Sequence, residues 1–536
     1  MEISAGTYQT QVEKVLADLE RRKVAERIWQ KDYTVWKPDP TEIIDRLGWL
    51  TCIDPMRKQV PDLTAFSDEV RSDGFRHVVL LGMGGSSLGT EVLAKTLGSA
   101  RGYPDLIVLD STVPAQVQAV TDAIEPVHTL FLVSSKSGTT TETLCLMEYF
   151  KSLVIPSLGE EKFGKNFVAI TDPGTPLAKL AEERGFRRAF LNQSDIGGRY
   201  SVLSFFGLVP AALTGANIGL LLERADRLRA QCAQNQPISE NPGIQLGAVI
   251  GALALQKRDK LTLVTSPAIS TFGLWAEQLI AESTGKEGKG IIPIVGEPLL
   301  EPAAYGDDRL FVSLRLDGDD NAALDKAISA LKSAGQPLVL IKIQGGYDLG
   351  AEFFRWEFAT AVAGTILGIQ PFDQPDVQMA KAATDTLLQH YIKYGKLPDA
   401  ELVGSLEDLL AKAGAGAYLS ILAYLRQNPQ LDSVIAGFRS AVVRKFHIAT
   451  MMGYGPRYLH STGQLHKGGP DSGLFLEITT GHEKDISIPG KPYTFGVLAD
   501  AQALGDLQAL QCRGRYVARC HLDRGNIATL SRFLAV

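Results

Sequence analysis

Two stretches rich in glycine and hydroxyls follow directly on apolar runs: LLGMGGSSLG, residues 80–89, and SSKSGTTTET, residues 134–143. In the first, Gly82, Gly84 and Gly85 let backbone approach a ligand closely. Ser86 and Ser87 add hydroxyls where a helix would begin, and free N–H groups with the macrodipole make such a start attractive to an anion. In the second, Ser135, Ser137, Thr139, Thr140 and Thr143 crowd around Lys136 and Gly138. A phosphate monoester carries several acceptor oxygens, which short donors and free amides can satisfy without a large cationic patch. Other readings stand beside this one. A strict G-x-G-x-x-G fingerprint from Gly82 fails at Ser87, although Asp110 sits where a ribose-binding acid would. A capped helix or a plain turn would also use Ser, Thr and Gly.

Four further segments hold one or two residues of chemical interest each. Arg199 follows two glycines in SDIGGRYSVLS and can reach across a crevice toward developing negative charge, or form a surface ion pair. Glu282 stands in WAEQLIAESTGKEGKG, where Gly285 ends the helix; a carboxylate in that last turn suits a general base, or is simply solvated. GKEGKG lacks Ser or Thr after Gly-Lys and is not a nucleotide P-loop. In QPFDQPDVQMAK, Pro375 at the first helical position makes Gln374 or Asp373 the cap. Gln374 and Lys381 then project from one side of the helix. His460, in GYGPRYLHSTGQLHKGGP, is an acid–base candidate in a glycine-rich loop, or a structural loop histidine. No histidine spacing suggests a metal site.

The elements that must position these residues are short apolar runs alternating with helical stretches. The runs are His77–Gly82, Leu106–Asp110, Leu130–Ser134, Phe167–Thr171 and Arg188–Leu191, then Leu261–Thr265, Gly290–Val295, Leu310–Leu316 and Leu338–Ile343. Such alternation predicts parallel sheets covered on both faces. The expected organisation is an N-terminal helical arm (1–45), two doubly wound α/β units (46–235 and 236–395) and a C-terminal α/β region (396–536). That last region reads as helix-rich to about 450, then strand–helix–strand.

The composition of the 536 residues, 45% hydrophobic and 21% charged, excludes a disordered or collagen-like chain. The net charge of −6 gives no reason to expect nucleic acid or an anionic membrane as partner. Five scattered cysteines without C-x-x-C fit a reducing compartment. No basic start with an apolar run follows Met1, so no secretory signal is expected and a cytoplasmic location is. The long uncharged stretch Ser201 to Leu222 contains Pro210 and reads as a buried helix and turn rather than a membrane span.

In their order, GMGGSSLG, SSKSGTT, DIGGRYS, AESTGKEGKG followed by GEP (296–298), and FDQPDVQMAK resemble the glucose-6-phosphate isomerase, or phosphoglucose isomerase, family over roughly residues 75–395. The resemblance implies two sugar-isomerase (SIS) domains and interconversion of glucose 6-phosphate and fructose 6-phosphate, with no cofactor, on a small phosphosugar substrate, in what is usually a homodimer. It implies that Ser86, Ser135, Lys136, Ser137 and Thr140 hold the phosphate and that Glu282 moves the proton between carbons 1 and 2. Arg199 would stabilise the enediolate, with Gln374 and Lys381 near the ring oxygen. One element departs: LLEPAAYGDDRL (299–310) lacks the histidine that many relatives carry there. An L-H-S-x-G-Q motif stands instead at 459–464, in a tail resembling that of transaldolase–isomerase fusion enzymes. The expectation is that the C-terminal region folds back, or crosses to a partner subunit, and brings His460 to the site. The alternatives are a non-catalytic phosphosugar-binding regulatory protein and an NAD-dependent dehydrogenase.

Overall fold

The computed structural model describes residues 1–399, 404–523 and 527–535. The chain opens with a short strand, β1 (Glu2–Ser4), and the helix Gln9–Arg21, whose Val12 and Leu19 are buried. A parallel sheet follows, made of β2 (His77–Gly82), β3 (Asp105–Leu109), β4 (Thr129–Ser134), β5 (Phe167–Thr171) and β6 (Arg188–Leu191). Its order is β3-β2-β4-β5-β6. Every residue of β4 and β5 is buried, as expected for strands covered on both faces. The uncharged stretch becomes the buried helix Phe205–Leu213, a turn, and the start of the helix Ile218–Gln231. Among the described residues no helix is long and apolar enough to cross a membrane.

The second sheet holds β7 (Lys260–Thr265), β8 (Ile292–Ile294), β9 (Arg309–Leu316) and β10 (Leu338–Ile343). Its order is β1-β10-β9-β7-β8, with β1 antiparallel on the edge. The N-terminal arm therefore contributes a strand as well as helices, which the sequence reading did not anticipate.

The C-terminal region corrects the sequence reading more substantially. It is a third parallel sheet, ordered β12-β11-β13-β14, formed by β11 (Tyr418–Ala423), β12 (Ala449–Tyr454), β13 (Gly473–Thr480) and β14 (Tyr516–Leu522). The stretch before residue 450, read as helical, contains β11 and ends at β12. YLSILA and ATMMGY are poor in β-branched residues, so neither announces a strand; β11 lies between β12 and β13 and is buried throughout, and β12 forms the edge and is buried at its start.

The third sheet packs onto the first. Leu81, Val133 and Phe150 share one apolar core with Tyr458, Leu465, Phe495 and Leu504. Tyr149 meets Phe495 edge-to-face at 5.8 Å between ring centroids. This shared core brings the loop after β12 over the carboxyl edge of the first sheet.

Candidate active site

In the first sheet, β2 pairs with β3 on one side and β4 on the other, so the loops after β2 and β4 flank the point where strand order reverses. Ligands of such sheets bind there, outside the carboxyl ends. A cavity of about 740 Å³ opens at this point, lined by Gly84, Gly85, Ser86, Lys136, Ser137, Thr140, Arg199, Glu282, Gln374, Lys381 and His460, among others.

The glycines of the first loop have a reason that was not visible in the sequence. Gly84 has φ +54°, and a Cβ on it would lie 2.4 Å from the His460 carbonyl oxygen and 2.9 Å from Gln278 Nε2. A Cβ on Gly85 would lie 2.2 Å from the Gly198 carbonyl oxygen. Close approach here is of chain to chain: the loop is the floor against which the Arg199 and His460 segments sit.

The second loop braces itself. The Ser135 hydroxyl accepts from the Gly138 amide at 3.1 Å and bonds the Thr140 hydroxyl at 2.8 Å. Ser135 is buried and does not line the cavity, so it supports the loop that presents Ser137 and Thr140. Thr139 bonds Ser137 at 2.9 Å and lines an adjoining cavity of about 460 Å³ that shares Lys381 and His460. Thr143 is buried on the helix behind. Lys136 donates to the Ser194 carbonyl at 2.8 Å and pairs with Asp172. Burial holds that carboxyl above the usual range despite the ammonium.

Glu282 lies in the last turn of the helix Phe272–Thr284, which Gly285 ends. It is 8% exposed. Gln278, one turn earlier, donates through Nε2 to Glu282 Oε2 at 3.1 Å and to the His460 carbonyl at 2.9 Å. Arg199 Nε stands 3.7 Å from Glu282 Oε2. Arg199 Nη2 also donates to the carbonyls of Phe372 and Asp373, at 2.7 and 3.1 Å, and to Gln374 Oε1 at 2.7 Å. The guanidinium thus ties the Gln374 segment to Glu282.

Neither Gln374 nor Asp373 caps the following helix. Pro375–Val377 is a short 3₁₀ turn, and the helix proper is Gln378–Tyr394. The Gln374 amide turns to Arg199, and the Asp373 carboxylate accepts from Lys286 Nζ at 2.6 Å. Charge-assisted bonds outcompete a neutral cap. Burial pulls Lys286 down to about 8, with Arg199 adding to the effect and Asp373 opposing it. Lys381 lines the cavity and is exposed.

His460 reaches this cavity within the same chain. Its Nε2 is 2.8 Å from Glu142 Oε1. Burial works against the charge of Glu142, yet His460 beside it holds the carboxyl below its ordinary range. Asp110, the residue on which a dinucleotide reading rested, is occupied: it pairs with Arg457 Nε at 2.8 Å and accepts from the Ser87 hydroxyl at 3.0 Å.

Comparison with known proteins follows the same lines. The family model for phosphoglucose isomerase matches residues 56–290. A glucose-6-phosphate isomerase of Rubrobacter xylanophilus is 31% identical over 368 residues, covering 59% of this chain and 84% of that protein. The chain belongs to the phosphoglucose isomerase family. A second family member, the glucose-6-phosphate isomerase of Enterococcus faecalis, is 25% identical over 394 residues, covering 64% of this chain and 87% of its own. The fold is shared with the crystal structure of a glucose-6-phosphate isomerase from Chlamydia trachomatis, at TM-score 0.61 and 18% identity over 72% of this chain and 86% of that one. The family match at 56–290 includes both hydroxyl loops, Arg199 and Glu282; Gln374, Lys381 and His460 lie beyond it.

Sequence reasoning missed Gln278, Glu142 and Asp172. Gln278 had a legible signal, its four-residue spacing from Glu282 on one helix face. Glu142 lies within the second loop motif, where the crowd of hydroxyls around it gives its carboxylate no distinct signal.

Proposed function

We propose that this protein interconverts glucose 6-phosphate and fructose 6-phosphate by ring opening and proton transfer through an enediolate. The observation that carries the reading is that one cavity, built from a single chain, gathers the hydroxyls of Ser86, Ser137 and Thr140, the Glu282 carboxylate, the Arg199 guanidinium, the Lys381 ammonium and the His460 imidazole.

Ser86, Ser137, Thr140 and the amides of Gly84 and Gly85 hold the phosphate, with Lys136, Ser135 and Thr139 shaping the loop. This anchoring turns binding energy into orientation of the sugar chain. His460 and Lys381 exchange the two protons of ring opening, one off the anomeric hydroxyl and one onto the ring oxygen, with Gln374 beside them. With His460 Nε2 committed to Glu142, Nδ1 is the nitrogen left for substrate. Glu282 takes the proton from the carbon next to the carbonyl and returns it to the neighbouring one; general acid–base transfer contributes about 10²–10⁴-fold. Arg199 faces the charge that develops on the enediolate oxygens, where a fixed donor is worth about 3–4 kcal/mol.

The first unit supplies the phosphate loops, the second the base, and the region after 396 supplies His460. A cytoplasmic location fits cysteines that are all unpaired. The test is direct: the purified chain should convert glucose 6-phosphate to fructose 6-phosphate and back. Phosphosugar binding without turnover would instead favour a regulator.

A further inference from the structure

The His460–Glu142 contact is backed by a second link that returns to the C-terminal region. Glu142 Oε1 also accepts a hydrogen bond from Gln502 Nε2, at 2.7 Å. Gln502 Oε1 accepts in turn from the Thr112 hydroxyl, at 2.7 Å. Glu142, Gln502 and Thr112 are all buried. An ionised carboxylate only accepts, so the amide must present its NH₂ to Glu142 and leave its oxygen for Thr112. The link therefore has one sense, running from Thr112 in the loop after β3, through Gln502 on the helix Phe495–Cys512, to Glu142 on the helix Thr141–Leu158. The Gln502 helix is anchored in the shared core by Phe495, Leu498 and Leu504.

We infer that Gln502 is a positioning residue for His460. It pins the Glu142 carboxylate in one rotation, and the carboxylate then holds the imidazole with Nε2 toward Glu142 and Nδ1 toward substrate. The C-terminal region thus supplies both the histidine and the amide that fixes the histidine's partner. This inference rests on the reading of His460 as a ring-opening group.

Two substrates separate the roles: glucose 6-phosphate, which is cyclic, and its 4,5-dideoxy analogue, which cannot close a five- or six-membered ring. Gln502→Met keeps length and removes the donor. The expected result is a fall in kcat on glucose 6-phosphate of roughly tenfold, the size of one lost bond to a charged group. KM should stay within about twofold and the analogue should turn over as before. In a His460→Ala background, Gln502→Met should cause no further loss, because a residue acting through His460 has nothing left to act on. Thr112→Val, which frees the other end of the amide, should shift the same ratio in the same sense and guards against a poorly folded Gln502 variant. Equal losses on both substrates, additive losses in the His460→Ala background, or no loss at all would overturn the inference. If His460→Ala itself lost equally on both substrates, the ring-opening reading would fail and Gln502 with it, a result read from that variant alone.

Discussion

Gly84→Ala tests whether the loop after β2 sets the position of the catalytic groups around it. Gly84 has φ +54°, so a side chain there costs about 1–2 kcal/mol of backbone strain. It also places a methyl group 2.4 Å from the His460 carbonyl oxygen, a contact that must open to at least 3.0 Å. The same methyl would stand 2.9 Å from Gln278 Nε2, the group that bridges His460 and Glu282. Displacing the His460 loop and the Gln278 amide together moves both proton-transfer groups by a sizeable fraction of an ångström. Misplacements of about 1 Å cost on the order of 10²-fold in rate. The expected outcome is a fall in kcat/KM of roughly 10²-fold in either direction of the isomerisation. Gly368→Ala is the control: it has φ +67° and nothing within 4 Å of the added Cβ. It should lose stability by about 1–2 kcal/mol through strain and keep wild-type kinetics. The reasoning is refuted if folded Gly84→Ala works within about twofold of wild type, or if Gly368→Ala loses as much activity.

Thr140→Val removes a hydroxyl that faces the cavity and bonds Ser135. KM for glucose 6-phosphate should rise about tenfold with kcat nearly unchanged, the signature of lost uniform binding. Arg457→Met strips the cation from between Glu91 and Asp110, each 2.8 Å away. Leaving those carboxylates uncompensated should cost about 3–5 kcal/mol, read from urea unfolding. Glu277 is pushed up to about 8 by burial, against the pull of Arg439 and Arg457. Between its unfolded value of 4.5 and about 8, the unfolded chain has released that proton and the folded chain has not, so this group's contribution to stability falls as pH rises. Glu277→Gln removes that loss: its melting temperature relative to wild type should climb between pH 5 and about 8, and a flat difference would contradict the assignment.

Most of the strands were legible because burial on both faces leaves continuous apolar runs, the largely exposed edge strand RAFL excepted. HVVLLG, FVAIT, RAFL and LVLIKI form the strands expected of them, residue for residue. The loop after β4 was legible for a related reason: seven hydroxyls and a glycine in ten residues exceed what a cap needs, and that glycine, Gly138, does take a positive φ. What escaped depended on distance in sequence. Glu142 shows its purpose only beside His460, 318 residues on. Gly84 and Gly85 read as ligand-binding glycines, and only the folded chain shows carbonyls of His460 and Gly198 pressed against them. In the third sheet, β13 and β14 with the helix between them form the strand–helix–strand expected there, whereas β11 and β12 escaped because YLSILA and ATMMGY each have a single β-branched residue, so strand and helix looked alike in one dimension.

Hydrogen exchange at the substrate tests the account at its centre. In D₂O the wild-type chain should place deuterium on carbon 2 of glucose 6-phosphate as it equilibrates with fructose 6-phosphate. Glu282→Gln should bind fructose 6-phosphate within a few-fold of wild type yet incorporate no deuterium above about a thousandth of the wild-type rate, within the range of lost acid–base catalysis. Exchange in that variant at a tenth of the wild-type rate or faster would mean that another group moves the proton.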